Sequence, residues 1–371
     1  SESGQSLHAP VREGEFSGKL WSEGESFRNP DLANTLEMLA IEGIDEMYHG
    51  DLAKEIVKSC SPYGLLGMQD MSAPQIKRRK PLSLNAFGGT LLTNPPPSSG
   101  GLLIAFSTMV LARLQAMPEI SKLPWSALIV EGLRAASLLR NEGFDRRIYD
   151  QNIGAAILEE NHLQEAVENI SRRFRTISEQ TFSEPDNRHG STTHISVIDR
   201  DGMAVSLTSS NGEGSGIVVP GTGIHLNNML GEEDINPLGF HALPGGATLS
   251  SMMAPSIFME HGQPTLVLGS GGSNRLRGAI LQVLLRHQLL AQDIESAIHA
   301  PRLHNEGMRL DIEPELLTDH ERQLLMHLGW ELKEWQEQSV YFGGVHAITR
   351  SNTGALHGCG DTRRGGAIAM P

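Results

Sequence analysis

Two hydroxyls and an imidazole, Thr192-Thr193-His194, stand where a β-strand begins, inside the stretch RHGSTTHISVIDRDGMAVSLTSSNGEGSG. A Ser or Thr hydroxyl is a weak nucleophile until a base takes its proton. A residue at a chain terminus carries its own base, an α-amine with an unperturbed pKa of about 8. Thr192 gains that amine only if the Ser191-Thr192 bond is cut. Threonine is also a common strand residue, so for TTH on its own the better explanation is hydroxyls merely satisfied at a strand start.

Three further segments carry groups that could serve such a nucleophile. In LGSGGSNRLRGAILQVLL an apolar strand breaks at Gly269-Ser270-Gly271-Gly272-Ser273 and re-enters an amphipathic helix. A glycine-rich turn of this kind aims backbone N–H groups at one spot, where they stabilise a phosphate or a developing oxyanion. Asn274-Arg275 occupy the place of the Walker lysine and its hydroxyl neighbour, which weakens the phosphate reading and leaves an oxyanion site or a bare tight turn. In GATLSSMMAP the paired hydroxyls of Ser250 and Ser251 could bind a carboxylate, or could simply be turn residues. In GIHLNNMLGEED paired amides precede three acids, which either hold an amine or lie solvated in a loop.

The elements that must position these groups are legible from periodicity. Apolar spacing after Asn29-Pro30 predicts a helix over 31–40 from Leu32, Leu36, Leu39 and Ala40, ended by Gly43. A second helix is expected over 44–59, with Met47, Leu52, Ile56 and Val57 inward. FGGTLLTNPPPSSGG reads as a strand stopped by prolines and a turn feeding a buried helix from Leu102 to about Met117. Helices follow over 125–141 and 161–176, and then a polar linker over 184–190. Beyond it strands are expected over 193–197, 204–209, 256–259, 265–268, 345–349 and 355–357, with a helix over 275–291. Helices on both sides of mostly antiparallel strands suggest layered α+β packing.

Bulk properties narrow the function classes. The 371 residues include 44 acidic and 30 basic side chains, a net charge of −14, with 39% hydrophobic content. Such a chain repels polyanions, and its one basic cluster, Lys77-Arg78-Arg79-Lys80, is short and lacks aromatics, so it reads as a solvated turn before a strand. No nucleic-acid partner is expected. The longest apolar run, 102–112, is far short of the ~20 residues that span a bilayer. The polar start SESGQSLHAPVREGEF has no apolar signal core. Cys60 and Cys359 have no metal or redox spacing, and either free thiols or one bridge would fit.

In their order, TTHISVIDRDGMAVSLT, GSGIVVPGTGIHLNN, LSSMMAP and GSGGSNR resemble the small-subunit motifs of the γ-glutamyltransferase family of N-terminal-nucleophile hydrolases, and PPPSSGG resembles the end of its large subunit. The resemblance implies an α+β fold, a four-layer αββα sandwich, made as a precursor that cuts itself at Ser191-Thr192. Residues 1–191 would be the C-terminal part of the large subunit and 192–371 the small subunit, associated as one composite domain. Thr192 would be the nucleophile, its new α-amine the base, Gly271 and Gly272 the oxyanion hole, and Ser250 and Ser251 the ligands of the substrate α-carboxylate. A γ-glutamyl amide such as glutathione would acylate Thr192, and water or an amino acid or peptide amine would accept the acyl group. No metal or organic cofactor is implied, and the family suggests a periplasmic or extracellular setting.

Departures from the pattern bear on specificity. The family's Thr-x-Thr-x-Asn segment is shorter here, and Ser210 and Asn211 are its nearest equivalents. Where the family places Gln and Asp on the substrate amine, this chain has Met229 and Glu232, and a thioether accepts hydrogen bonds poorly. Glu233 or Asp234 could take the place of Glu232. The family's N-terminal stretch, with its carboxylate-clamping arginine, matches no part of this chain, and no residue is assigned that role. An acylase for glutaryl or cephalosporin-type amides is the alternative that Met229 favours, and the acids at 232–234 favour the γ-glutamyl reading. An uncleaved, non-catalytic homologue is the third expectation.

Overall fold

The first helix of the computed structural model, α1 (Pro30–Glu42), starts where Asn29-Pro30 predicts. Asn29 Oδ1 accepts the Leu32 N–H at 3.0 Å, and Pro30 sits where no intrahelical donor is needed. Gly43, at φ 97°, ends it. The buried side chain is Thr35, which donates to the Thr222 carbonyl, and Leu39 packs at the margin of a small core, whereas Leu36 is 58% exposed. The helix expected over 44–59 is interrupted at Gly50 into Glu46–His49 and α2 (Asp51–Cys60). Leu52, Ala53 and Ile56 form a small core with Met71 and Val219, and Met47 and Val57 pack at its margin.

These elements belong to one of two units, residues 1–79 with 211–229; the other comprises 80–210 and 230–371. The described residues are 11–12, 15–16, 26, 28–61, 64–72, 76–175 and 192–370. Ser191 and the linker over 184–190 lie outside them.

The larger unit is built on β1 (Leu82–Ala86), β2 (Gly89–Thr93), β3 (Thr192–Ile198), β4 (Ala204–Ser210), β5 (Ser256–Glu260), β6 (Gln263–Gly271), β7 (Leu303–Glu306), β8 (Arg309–Ile312), β9 (Glu331–Glu334), β10 (Gly344–Arg350) and β11 (Leu356–Cys359). Six of these form one antiparallel sheet in the order β11-β10-β6-β5-β2-β1, and β3 and β4 form a separate hairpin. The exposed basic run 77–80 leads into β1, as expected.

Alternation decides what each face of the sheet meets. Leu266 and Leu268 of β6 and Val345 and Ala347 of β10 point into a core with Ile104, Ala105, Ala279, Ile280, Val283 and Leu284. Those partners lie on α3 (Ser99–Gln115) and α6 (Arg275–Gln288). The opposite face of α3, with Leu103, Phe106 and Val110, packs in a second core with Ile129 and Leu133 of α4 (Trp125–Leu139) and Leu163 of α5 (Glu160–Arg175). A helix buried on both faces has no polar side to show, which explains its near-continuous apolar run.

The hairpin lies on the other face of β6 and β10. Its inward residues are polar: Ser196 Oγ donates to the His346 carbonyl and Ser206 Oγ to the Leu268 carbonyl, each at 3.1 Å. Its outward residues Ile195, Val197, Val205 and Leu207 are 53%, 44%, 47% and 53% exposed. The strands stand where the alternation predicts, but with the apolar set facing out. Helices, sheet and hairpin thus form three successive layers among the described residues.

The strands β7, β8 and β9 and the helix Asp319–His327 have no counterpart in the sequence reading. Their segments LHNE, RLDI and ELKE hold few apolar residues, and His304, Asn305 and Asp311 are buried in them. Cys60 and Cys359 are free thiols, which settles that alternative.

Candidate active site

A tight turn sets the register that brings Thr192 to its partner. Asp199 Oδ1 accepts the N–H groups of Asp201 and Met203 at 2.9 and 2.8 Å, and Gly202 takes φ 89°. Pairing outward from that turn places Thr192 opposite Ser210, the first residue of β3 against the last of β4. Thr192 Oγ1 and Ser210 Oγ are 2.9 Å apart, within hydrogen-bond reach.

Two glycines of β6 let the hairpin come this close. Gly269 and Gly271 share a face, two positions apart, as do His194 and Thr192 on β3. A Cβ on Gly269 would lie 2.3 Å from the His194 ring, and one on Gly271 2.3 Å from the Thr192 carbonyl oxygen. Gly272 follows at φ 133°, which favours glycine, and its carbonyl accepts the Arg275 N–H at 3.0 Å as α6 begins. The expected strand-turn-helix is therefore present with its glycines against Thr192.

His194 is not a free base. Nδ1 lies 2.8 Å from Thr208 Oγ1 and Nε2 2.9 Å from Ser196 Oγ, so both ring nitrogens are engaged. Burial, and after it the nearby His346, pulls its pKa down to about 4, and the ring is neutral at pH 7. It locks β3 to β4 behind Thr192.

One neighbour of Thr192 was not read from the sequence. Arg364 Nη1 donates to the Thr192 carbonyl at 3.3 Å from a turn 172 residues downstream. That turn, Thr362–Arg364, is tied down by buried charges. Asp361 pairs with Arg302 at 2.6 Å and with Arg363 at 3.2 Å, accepts the Val345 N–H at 2.9 Å, and is itself fully buried. Arg363 also pairs with buried Glu313. Burial alone would raise the Asp361 pKa, but Arg302 and Arg363 outweigh it and hold the carboxyl below its usual range. No spacing signal in DTRRGG points to Thr192; the contact arises only from the fold.

Ser251 Oγ accepts the Met253 N–H at 3.1 Å, and its carbonyl accepts the Ser99 N–H at 2.8 Å, where α3 begins. Gly100 and Gly101 permit that junction, since a Cβ there would lie 1.9 Å from the Met252 carbonyl oxygen or 2.1 Å from that of Asn94. Ser250, next to Ser251 in the chain, is half-buried; Glu232, in a separate segment, is also half-buried, and its carbonyl accepts Asn236 Nδ2 at 2.8 Å. Asn211 belongs to the smaller unit, where its Nδ2 donates to the His225 carbonyl at 3.3 Å, and the Met229 N–H donates to Asn227 Oδ1 at 3.0 Å. Thr192, Ser210, Gly271 and Gly272 are thus brought together directly, the Ser pair and Glu232 lie in segments of their own, and Ser191 lies outside the described residues. Among the described residues no His, Cys, Asp and Glu side chains group to hold a metal ion, and no helix is long and apolar enough to cross a membrane.

The family model described as gamma-glutamyltranspeptidase matches residues 13–370. A glutathione hydrolase proenzyme of Pseudomonas aeruginosa is 28% identical over 389 residues, covering 96% of this chain and 67% of that protein. Glutathione hydrolase 5 proenzyme of Mus musculus is 29% identical over 361 residues, covering 92% of this chain and 62% of that protein. The chain therefore spans about two thirds or less of the length of these relatives. A cephalosporin acylase from Bacillus halodurans superposes with a TM-score of 0.76 at 23% identity, over 95% of this chain and 64% of that one. That likeness concerns the fold, which is α+β as expected.

Proposed function

The chain belongs to the gamma-glutamyltranspeptidase family, and from that premise we propose that it is a self-processing γ-glutamyl transferase or hydrolase whose nucleophile is Thr192. The observation that carries the reading is the 2.9 Å approach of Thr192 Oγ1 to Ser210 Oγ, with Gly271 against the Thr192 carbonyl. The name proenzyme borne by both relatives supports a maturation step.

Cleavage of Ser191-Thr192 turns the Thr192 nitrogen into an α-amine, with residues 1–191 and 192–371 staying associated. That amine takes the Oγ1 proton as Oγ1 attacks the γ-carbonyl carbon of a γ-glutamyl amide such as glutathione. The negative charge that develops on the carbonyl oxygen is met by the N–H groups of Gly271 and Gly272. The C–N bond breaks, the leaving amine receives the proton, and a glutamyl ester remains on Thr192. Water or an amino acid or peptide amine then attacks the ester, and Oγ1 recovers its proton. Ser210 supports the nucleophile, Ser250 and Ser251 bind the substrate α-carboxylate, and Glu232 serves its α-amine. The chemistry requires no metal or organic cofactor.

Intact-mass measurement tests the core of this. The wild type should separate into two chains divided at Ser191-Thr192, and Thr192→Ala should remain whole. A wild type that stays uncut refutes the catalytic reading and favours a non-catalytic homologue. Met229, which offers a substrate amine little, favours a second reading, a glutaryl or cephalosporin-type acylase. Turnover of a γ-glutamyl anilide against a glutaryl anilide separates the two, and glutaryl turnover equal or faster selects the acylase.

A further inference from the structure

Arg364 is placed to do more than fill space. Its stem crosses Gly344, where a Cβ would lie 2.6 Å from Arg364 Cγ. Its guanidinium lies among the parts of the site: Nη1 donates to the Thr192 carbonyl at 3.3 Å, and its terminal nitrogens are 3.3 and 3.7 Å from where Cβ atoms of Gly271 and Gly272 would be. An α-amine freed at Thr192 would be on the same residue as that carbonyl.

A free α-amine with a pKa near 8 is about nine-tenths protonated at pH 7 and cannot accept the Oγ1 proton in that form. Its charged surroundings therefore matter. Arg364 comes from the C-terminal turn and Arg275 from the first residue of α6, and the two repel each other. Asp361 is the nearby acid, and its oxygens are engaged by Arg302, Arg363 and the Val345 N–H. His194 on β3 and His346 on β10 are both pulled down by burial and carry no charge at neutral pH. The net field is positive. Arg364's own pKa is lowered by burial and by Arg275, yet an arginine stays protonated in a protein.

Resting on the reading of Thr192 as an N-terminal nucleophile, we propose that Arg364 is a positioning residue: it clamps the Thr192 carbonyl, and its charge keeps the new α-amine neutral enough to act as the base. At a separation of roughly 6 Å and an effective dielectric of about 40, one unit charge moves a neighbouring pKa by about one unit.

The test is the pH dependence of kcat/KM on a γ-glutamyl anilide for wild type, Arg364→Lys and Arg364→Met, each first weighed for cleavage. Arg364→Met should raise the midpoint of the acid limb by about one unit, with kcat/KM down about tenfold near pH 6.5 and recovering in large part near pH 9.5. Arg364→Lys should keep the wild-type midpoint to within about a third of a unit. A cleaved Arg364→Met with the wild-type acid limb overturns the proposal, as does an Arg364→Lys shifted as far as Met. If Arg364→Met folds but stays whole, cleavage restored in Arg364→Lys upholds the clamp, and cleavage still absent overturns it. An uncut wild type refutes the reading beneath the proposal, and the proposal with it.

Discussion

Replacing Gly271 with alanine puts a methyl group against the backbone of Thr192. The new Cβ would stand 2.3 Å from the Thr192 carbonyl oxygen and 3.0 Å from its carbon, where ordinary contact begins at 3.4 Å. One strand must move by about 1 Å, because the obstacle is backbone and not the end of a flexible side chain. Overpacking of this kind costs about 1–3 kcal/mol. A domain stable by roughly 5–15 kcal/mol survives that, so folded protein should be recovered. Catalytic geometry tolerates much less: a misplacement of about 1 Å costs on the order of a hundredfold in rate. Gly271→Ala should therefore melt a few degrees below wild type, be cleaved slowly or not at all, and lose about a hundredfold in kcat on a γ-glutamyl anilide once cleaved. Intact mass, a thermal melt and the anilide assay read the three effects separately. Complete cleavage with kcat within about threefold of wild type would refute the argument that Gly271 is glycine because Thr192 lies against it.

Gly278 in α6 offers the opposite case, with the nearest atoms to an added Cβ at 3.7 Å, so Gly278→Ala should stabilise the protein by about 0.5–1 kcal/mol in a urea titration, and destabilisation would show the helix face to be fuller than described. His194, whose pKa falls from 6.5 unfolded to about 4 folded, contributes stability that is complete above pH 6.5 and lost as pH falls toward 4, at most about 3 kcal/mol. His194→Gln should flatten the fall in stability between pH 6.5 and 4 relative to wild type, leaving the part due to His346, which burial shifts in the same direction; an unchanged slope would mean that His194 is not held neutral. Asp361→Ala strands Arg302, 1% exposed, and should cost about 3–5 kcal/mol in the same titration, and a loss under about 1 kcal/mol would remove the buried pair from any structural role.

What the sequence discloses follows from how local each signal is. The Thr192 strand, the glycine turn and the prolines before α3 are written in contiguous residues, and each element is found within a few residues of its expected bounds. The contact between Thr192 and Ser210 is also nearly local, since one turn fixes it. The inner face of the hairpin is a different matter. Its apolar alternation suggests Ile195 and Val197 facing inward, but the sheet is approached by His194, Ser196 and Ser206, whose hydrogen bonds to backbone replace apolar burial. Leu36 misleads for a similar reason, with Thr35 taking the buried place through its bond to Thr222. Arg364 was not legible at all, because its role depends on a buried ion network whose members lie at 302, 313, 361 and 363 with no common spacing.

The turn that carries Arg364 also sets an order of events during synthesis. Thr192 and Ser210 leave the ribosome together, but the arginine that holds the Thr192 carbonyl follows 172 residues later. At about 5–20 residues per second that is an interval of roughly ten to thirty seconds. Throughout it the glycines of β6, the strand β10 and the buried acid that fixes the last turn are still being made. A nascent chain thus holds the Thr192 hydroxyl well before it holds Arg364.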